Sequence, residues 1–364
     1  MNEVVIVYIT DDNYIMPTIV SITSAIMNKN ENSIYKIHII GVSINYENKK
    51  IFDEFISKNI NDKIYIEILH FKQHYNFDDT HPYLTSAAIF KFDIANILPD
   101  YDKVLYLDSD TIILKDLTQL FNTDINEYYA SVVKDYIGSE IQHIQLSLGT
   151  KDYFNSGVML LNTKILRVNN IKELLLDYRN KNHDMLMDQN TLNYVFNNKV
   201  KFIKPKYNYL RTYSIYDKTS LDNFYECDTG EDIVILHITW LKPWHEDVAD
   251  EKYFYDFWNY YQYTDYFKNN PLWLINKISE QKTKSIENKI NEINKKLTEI
   301  NKKYSENWTK LFGIYNNEDY IFIYIFFIKF TIKINEENIK NISWWIPVKK
   351  LRDKFRNKFR RYYD

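Results

Sequence analysis

The chain has a single cysteine, Cys227, in 364 residues. No disulfide can close within it, and no cysteine zinc site can form. A reducing compartment is the expectation. Glycine is scarce as well, with six in all, and neither GxGxxG nor GxxxxGK[ST] occurs. Both glycine-rich phosphate cradles are therefore excluded, and a nucleotide bound here needs its phosphates held by a metal instead. Long apolar runs are missing. The longest, "IFIYIFFIKFTIKI" (321–334), contains Lys329 and Lys333. It falls short of the roughly 20 residues of a transmembrane helix. The opening "MNEVVIVYITDDNY" is acidic and reads as a strand, not as a secretory leader. The 32 tyrosines belong to a general bias toward Asn, Ile, Lys and Tyr and carry no functional weight on that account.

Charge is nearly balanced but unevenly placed. The net charge is −3, whereas residues 349–361, "KKLRDKFRNKFRR", hold eight Lys/Arg and one Asp. A basic tail thus follows an acidic body, a pattern that marks a localisation signal.

Strand-like and helix-like stretches alternate from the first residue. "VVIVYI" (4–9), "IYKIHIIGV" (34–42), "KIYIEIL" (63–69) and "KVLYL" (103–107) are β-rich apolar runs. Between them lie helical patterns at 17–30, the first opened by Pro17, and at 48–59 and 86–98. Further strands are expected at 130–135, 156–162 and 232–238, and helices at 171–181 and 188–198. This order predicts an α/β fold on a mainly parallel sheet. After about residue 270 the character changes. Ile286, Ile290, Ile293, Leu297, Ile300 and Tyr304 recur at steps of four and three, with Lys, Glu, Asn and Thr between. That is a heptad seam, read either as an inter-chain coiled coil, and so a homo-oligomer, or as a helix lying on its own domain. The expected organisation is a catalytic domain over 1–265 and a helical extension over 266–364. The extension carries the heptad segment 286–304 and a basic amphipathic tail at 348–364. In that tail Leu351, Phe355, Phe359 and Tyr362 share one helical face.

"LYLDSDTIIL" places two carboxylates at the end of a buried strand. Open parallel sheets bind ligands beyond the carboxyl ends of their strands. Strand alternation would put Asp108 and Asp110 on one side, where two like charges need a cation between them. A divalent metal is the economical solution. "YITDDNY" sets Asp11, Asp12 and Asn13 at the end of the first strand, as readers of a base or ribose or as a helix cap. "ILHITWLKPW" ends a strand on His237 and brings Lys242. An Asp/Asp/His set suits manganese, and the lysine suits a phosphate.

Taken together, "LPDYDKVLYLDSD", "YFNSGVMLLN", "DQNTLN" and "HITWLKPW" resemble bacterial members of glycosyltransferase family 8. The resemblance covers residues 1 to about 260. It implies a GT-A fold and a retaining hexosyltransferase that uses UDP-glucose or UDP-galactose. It implies that Asp108, Asp110 and His237 hold Mn²⁺ (or Mg²⁺), and that Asp11 and Asn13 contact the uridine with Ile9 beside the base. Asn155 and Asp188 would hold sugar hydroxyls, Gly157 would allow close approach, and Gln189 would lie beneath the anomeric carbon. Lys242 would bind the diphosphate. Two departures stand out. Lys91 occupies a position where the family usually has arginine, and "HITWLKPW" is one residue shorter than usual and lacks a glycine.

The acceptor expected from the basic tail is a lipid-linked glycan, such as lipopolysaccharide core or a capsular saccharide. The enzyme would be cytoplasmic, peripheral on the inner face of the cytoplasmic membrane, with no nucleic-acid partner. The rivals are a sugar-phosphate nucleotidyltransferase and a catalytically decayed, membrane-tethered assembly factor.

Overall fold

The computed structural model describes residues 2–72, 86–140, 148–149, 152–182, 187–230, 232–244, 252–325, 328–344, 346–360 and 362. The chain forms two compact units, Met1–Lys282 and Thr283–Asp364.

The first unit begins with β1 (Asn2–Thr10), α1 (Ile15–Met27), β2 (Ser33–Val42), α2 (Tyr46–Asn59) and β3 (Ile64–Phe71). A 3₁₀ stretch, Ser86–Asp93, leads into α3 (Ile94–Ile97), β4 (Val104–Leu107), β5 (Thr111–Ile113) and α4 (Thr118–Phe121). Then come β6 (Ala130–Val132), α5 (Tyr136–Glu140), β7 (Val158–Leu161), α6 (Thr163–Val168), α7 (Ile171–Lys181) and α8 (Met187–Val195). The unit continues through β8 (Val200–Phe202), β9 (Tyr209–Leu210), α9 (Lys218–Tyr225), β10 (Ile235–His237), α10 (Lys252–Tyr261) and α11 (Asp265–Asn269).

Seven strands form the main sheet in the order β3-β2-β1-β4-β7-β6-β8. β3, β2, β1 and β4 run parallel, and β7 is antiparallel to both β4 and β6. β1 explains why the sheet is central. Val4, Ile6 and Tyr8 enter the core on one face, and Val5, Val7 and Ile9 the core on the other. A period of two with both faces apolar is what a doubly covered strand requires. The chain leaves β1 toward β2 and later returns to its other side as β4. The crevice beyond the carboxyl ends of β1 and β4 is therefore the switch point of the sheet. A small sheet, β5-β10-β9, packs beside it and carries the end of β10 to the same edge.

Local differences from the sequence reading have physical causes. Helix α1 starts two residues before Pro17, which sits in the first turn where N–H groups lack helical partners anyway. The helix expected at 86–98 is mostly 3₁₀, because Ala87, Ile89, Phe90, Lys91 and Phe92 are all buried and packing overrides a one-sided period. Strand β6 ends at Val132, and the next three residues turn Asp135 into a cap on α5.

A 41-residue helix, α12 (Pro271–Leu311), continues into the second unit. There the aromatic segment forms an antiparallel sheet of β11 (Phe312–Asn316), β12 (Tyr320–Ile325) and β13 (Ile328–Lys333). Helices α13 (Glu336–Trp344) and α14 (Lys349–Arg360) follow. The extension is thus helical with a sheet, since Ile, Phe and Tyr alternate there at strand period. Ile321, Ile334, Ile339 and Phe359 make its core, with Phe355 and Tyr362 against it. The aromatic side of the tail therefore faces its own unit, while Leu351 is exposed. Residues 286–300 of α12 are exposed all round, including the five described seam residues. Among the described residues, no helix is long and apolar enough to cross a membrane.

Candidate active site

Asp108, Ser109 and Asp110 form a turn between β4 and β5 rather than a continued strand. The turn, not the pleat, brings the two carboxylates together. It is pinned from three sides. Asp108 N–H donates to Gly157 O at 2.7 Å, Ser109 Oγ donates to Ile9 O at 3.1 Å, and Ile238 N–H donates to Asp110 O at 2.9 Å. His237, at the end of β10, faces the pair. Its Nε2 lies 3.2 Å from Asp110 Oδ1 and 3.8 Å from Asp108 Oδ2. One ligand atom from each of the three residues falls within 4.8 Å of the others.

The imidazole is oriented from behind. His237 Nδ1 is 3.0 Å from Asn208 Oδ1, while Asn208 Nδ2 donates to Asn155 Oδ1 at 2.9 Å. The Gly157 N–H donates to that same Asn155 oxygen at 3.0 Å. A backbone N–H can only donate, so the orientation of each amide follows. Asn208 turns its carbonyl to the ring, Nδ1 carries the proton, and Nε2 keeps its lone pair for the carboxylate side. The chain of amides runs on. Asn155 Nδ2 donates to Gln189 Oε1 at 3.1 Å, which also accepts from Ser156 N–H at 3.1 Å. Gln189 Nε2 then reaches Asp135 Oδ2 at 3.4 Å. Asp135 accepts from Ile137 and Gly138 N–H on its other oxygen. Burial pushes its carboxyl above the usual range.

Gly157 is required by close approach. A Cβ there would stand 2.2 Å from His237 Cε1 and 2.6 Å from Asp108 Oδ2. Cations complete the electrostatics. Lys91 Nζ lies 2.6 Å from Asp188 and 3.1 Å from Asp108. Burial opposes its charge, but Asp108 and Asp188 outweigh that and hold it above the ordinary lysine value. Lys242 contacts Asp110 and donates to Ile238 O at 2.6 Å. Burial would raise the Asp110 carboxyl, yet the Lys242 ammonium beside it keeps it well below the carboxylate range. Two carboxylates, one imidazole with a free nitrogen, and a cradle that a Cβ would fill fit a divalent cation that accepts oxygen and nitrogen.

The glycosyl transferase family 8 model matches residues 5–248. The chain belongs to glycosyl transferase family 8. This family 8 glycosyltransferase is 25% identical over 269 residues to the lipopolysaccharide 1,2-glucosyltransferase of Escherichia coli, covering 71% of this chain and 75% of that one. It is 28% identical over 209 residues to a Haemophilus influenzae protein named for glycosyl transfer, and spans 62% of that relative's length. The crystal structure of the galactosyltransferase LgtC with donor and acceptor sugar analogs superposes with a TM-score of 0.63 at 22% identity. It covers 71% of this chain and 96% of that one. The fold is GT-A, a mixed sheet rich in parallel strands with helices around it.

Residues 9–13 lie at the carboxyl end of β1, beside the turn that carries Asp108 and Asp110. Ile9, the penultimate residue of β1, accepts from Ser109; Asp11 holds Asn13 N–H at 2.9 Å, with Asn13 exposed beyond it. Asp12, by contrast, is a tether, since its carboxylate accepts from Asn45 and Asn48 at the start of α2. Asp188 and Gln189 sit in the first turn of α8, and Asn193 clamps that helix by bonding both the N–H and the C=O of Phe154. Three residues were missed. Asn208 lies in "KYNYL", which has no motif. Asp135 ends the strand-like "ASVVKD", the same signal that exposed Asp108. Tyr14 is half-buried, and its hydroxyl is driven above the usual tyrosine range by burial and by Asp110, Asp108 and Asp11. In the shortened loop, Trp240 takes a φ of 65°, a left-handed conformation that glycine adopts more easily.

Proposed function

We propose that this glycosyltransferase moves a hexose, glucose or galactose, from a UDP-sugar to a glycan hydroxyl with retention of configuration, giving an α-glycoside. The observation that carries the reading is the Asp108–Asp110–His237 cluster at the switch point, with its imidazole proton held on the far nitrogen. Mn²⁺ (or Mg²⁺) bound by those three side chains would neutralise a diphosphate leaving group. Lys242 adds a cation at the same edge for phosphate oxygens. Asp11, Asn13 and Ile9, at the end of β1, are the residues placed to meet the uridine. Asn155, Gly157, Asp188 and Gln189 would line the sugar.

The hydrogen bonds favour a front-face substitution. Gln189 is a neutral amide locked by Asn155, Ser156 and Asp135, and it offers a dipole rather than a nucleophile. The Asp188 carboxylate is engaged by Lys91 and by Ser156 Oγ at 3.2 Å. That leaves it as a charge near the sugar, not a free attacking group. Membership of family 8 also stands against the nucleotidyltransferase reading.

The acceptor we propose is a lipid-linked glycan reached from the inner face of a membrane. The E. coli relative, named for lipopolysaccharide glucosylation, supports it. So does the second unit, in modified form. Phe359 belongs to a core, so the contact surface is the exposed Lys349, Lys350, Lys354 and Lys358 with Trp344, Val348 and Leu351 beside them. Each basic residue near an anionic bilayer contributes about 1 kcal/mol. Reversing the four lysines to glutamate should abolish sedimentation with phosphatidylglycerol vesicles; undiminished binding would remove the membrane from the reading.

The enzymatic test is UDP release from a panel of UDP-sugars, with Mn²⁺ and with EDTA, for wild type and Asp110→Ala. Release from one sugar, lost with EDTA and in the variant, is expected. No release and no UDP binding by calorimetry would leave the decayed assembly factor.

A further inference from the structure

The helix α12 carries a surface that the catalytic reading does not use. Residues 286–300 are exposed on every side. One stripe within them is apolar: Ile286, Ile290, Ile293, Leu297 and Ile300 are 57, 50, 56, 49 and 48% exposed. Tyr304 continues the spacing in sequence. The remaining residues of this stretch are Lys, Glu, Asn and Thr, and Glu292 pairs with Lys296 along the helix.

The occupant follows from the period. Steps of four and three make Ile286, Ile293 and Ile300 d positions, and Ile290, Leu297 and Tyr304 a positions. A stripe at 3.5 residues per turn stays in register only with a helix wound around it. Each a or d side chain needs a hole of four residues opposite, and a second copy of the same helix supplies it.

Charge selects the orientation. The g positions are Lys282, Lys289, Lys296 and Lys303, and the e positions are Glu287, Asn294 and Asn301. Antiparallel pairing would set the lysine rows against each other. Parallel pairing sets g against e of the next heptad, which places Lys282 on Glu287 and Lys289 and Lys296 on asparagines. The a and d side chains select the number. Isoleucine fills every d position, and the a positions are Ile290, Leu297 and Tyr304; the Ile and Leu layers follow the patterns that favour three or four strands over two.

We propose that residues 286–304 assemble this chain into a parallel bundle of three or four copies. The proposal is independent of the donor and acceptor. Light scattering on the full chain at micromolar concentration should give three or four times the chain mass; one or two times would overturn it. Ile293→Lys with Ile300→Lys should give a monomer whose first unit melts as in wild type, and an unchanged mass would place the contact elsewhere. The quadruple variant Ile286→Leu, Ile293→Leu, Leu297→Ile, Ile300→Leu should fall to two chains, because leucine at d with isoleucine at a favours dimers. A mass unaltered by that change would overturn the core assignment. Orientation is read in a Cys227→Ser background carrying Ile286→Cys. Parallel helices bring these thiols together, and oxidation links the chains. Antiparallel helices would hold them about 27 Å apart, and absence of the link would overturn the parallel arrangement.

Discussion

Asn208 presents its side-chain oxygen to His237 Nδ1 at 3.0 Å, and so decides which nitrogen of the imidazole faces Asp108 and Asp110. Partners of this kind behind a metal-binding histidine typically matter by 10–100-fold in affinity. Asn208→Ala should weaken Mn²⁺ binding by about that factor, read by calorimetry without donor sugar, with the melting profile little changed. An unaltered affinity would show that the ring holds its orientation by packing alone.

Gly157→Ala is expected to be more severe for the metal than for the fold. The added methyl would overlap both His237 and Asp108, and one of them must move. Mn²⁺ titration should show binding lost or strongly reduced. Binding equal to wild type would mean that His237 is not a ligand.

Lys91 pairs with both Asp188 and Asp108. Lys91→Met strands two carboxylates in a buried site, and removing one partner of such a cluster costs about 3–5 kcal/mol. Urea denaturation should show the loss. Lys91→Arg keeps the charge and should recover much of it. Equal stability of the Met variant would show that water already screens the pair.

His38 provides a pH-dependent test away from the site. It is buried on β2, its Nδ1 is 2.6 Å from Glu67, and its Nε2 has no partner among the described residues. Burial lowers its pKa from 6.5, outweighing the Glu67 contact that would raise it. The unfolded chain then binds the extra proton first, so stability falls as pH drops below about 6.5. His38→Phe keeps the ring packing on Tyr65 and Tyr101 and removes the titration. The difference in melting temperature between pH 7.5 and 5.5 should therefore shrink in the variant. An identical difference would assign the pH dependence to other groups.

Much of the catalytic unit was legible because its signals are local. Doubly apolar strands such as Val4–Ile9 announce a buried sheet, and a carboxylate directly after such a strand announces its functional edge. Asp108 follows that rule directly and Asp110 stands two residues on, whereas His237 ends β10 itself and Asp135 lies three residues past β6. The second unit was less legible. Phe355 and Phe359 share a face with Leu351 by period, and the period is the same whether that face meets lipid or a neighbouring sheet. Only the packing of Phe359 on Ile321, Ile334 and Ile339 separates the two.

By itself the sequence determined the alternation of strands and helices, the carboxylates at the sheet edge and the heptad period, since each depends on residues a few positions apart. The tertiary structure alone decided how the site is wired. His237, Asn208, Asn155, Gln189 and Asp135 are linked by hydrogen bonds that span 29 to 54 residues of chain. No local propensity selects an asparagine for a bond to a side chain so distant. Such a bond forms only when two strands and a helix have already been packed to within its reach.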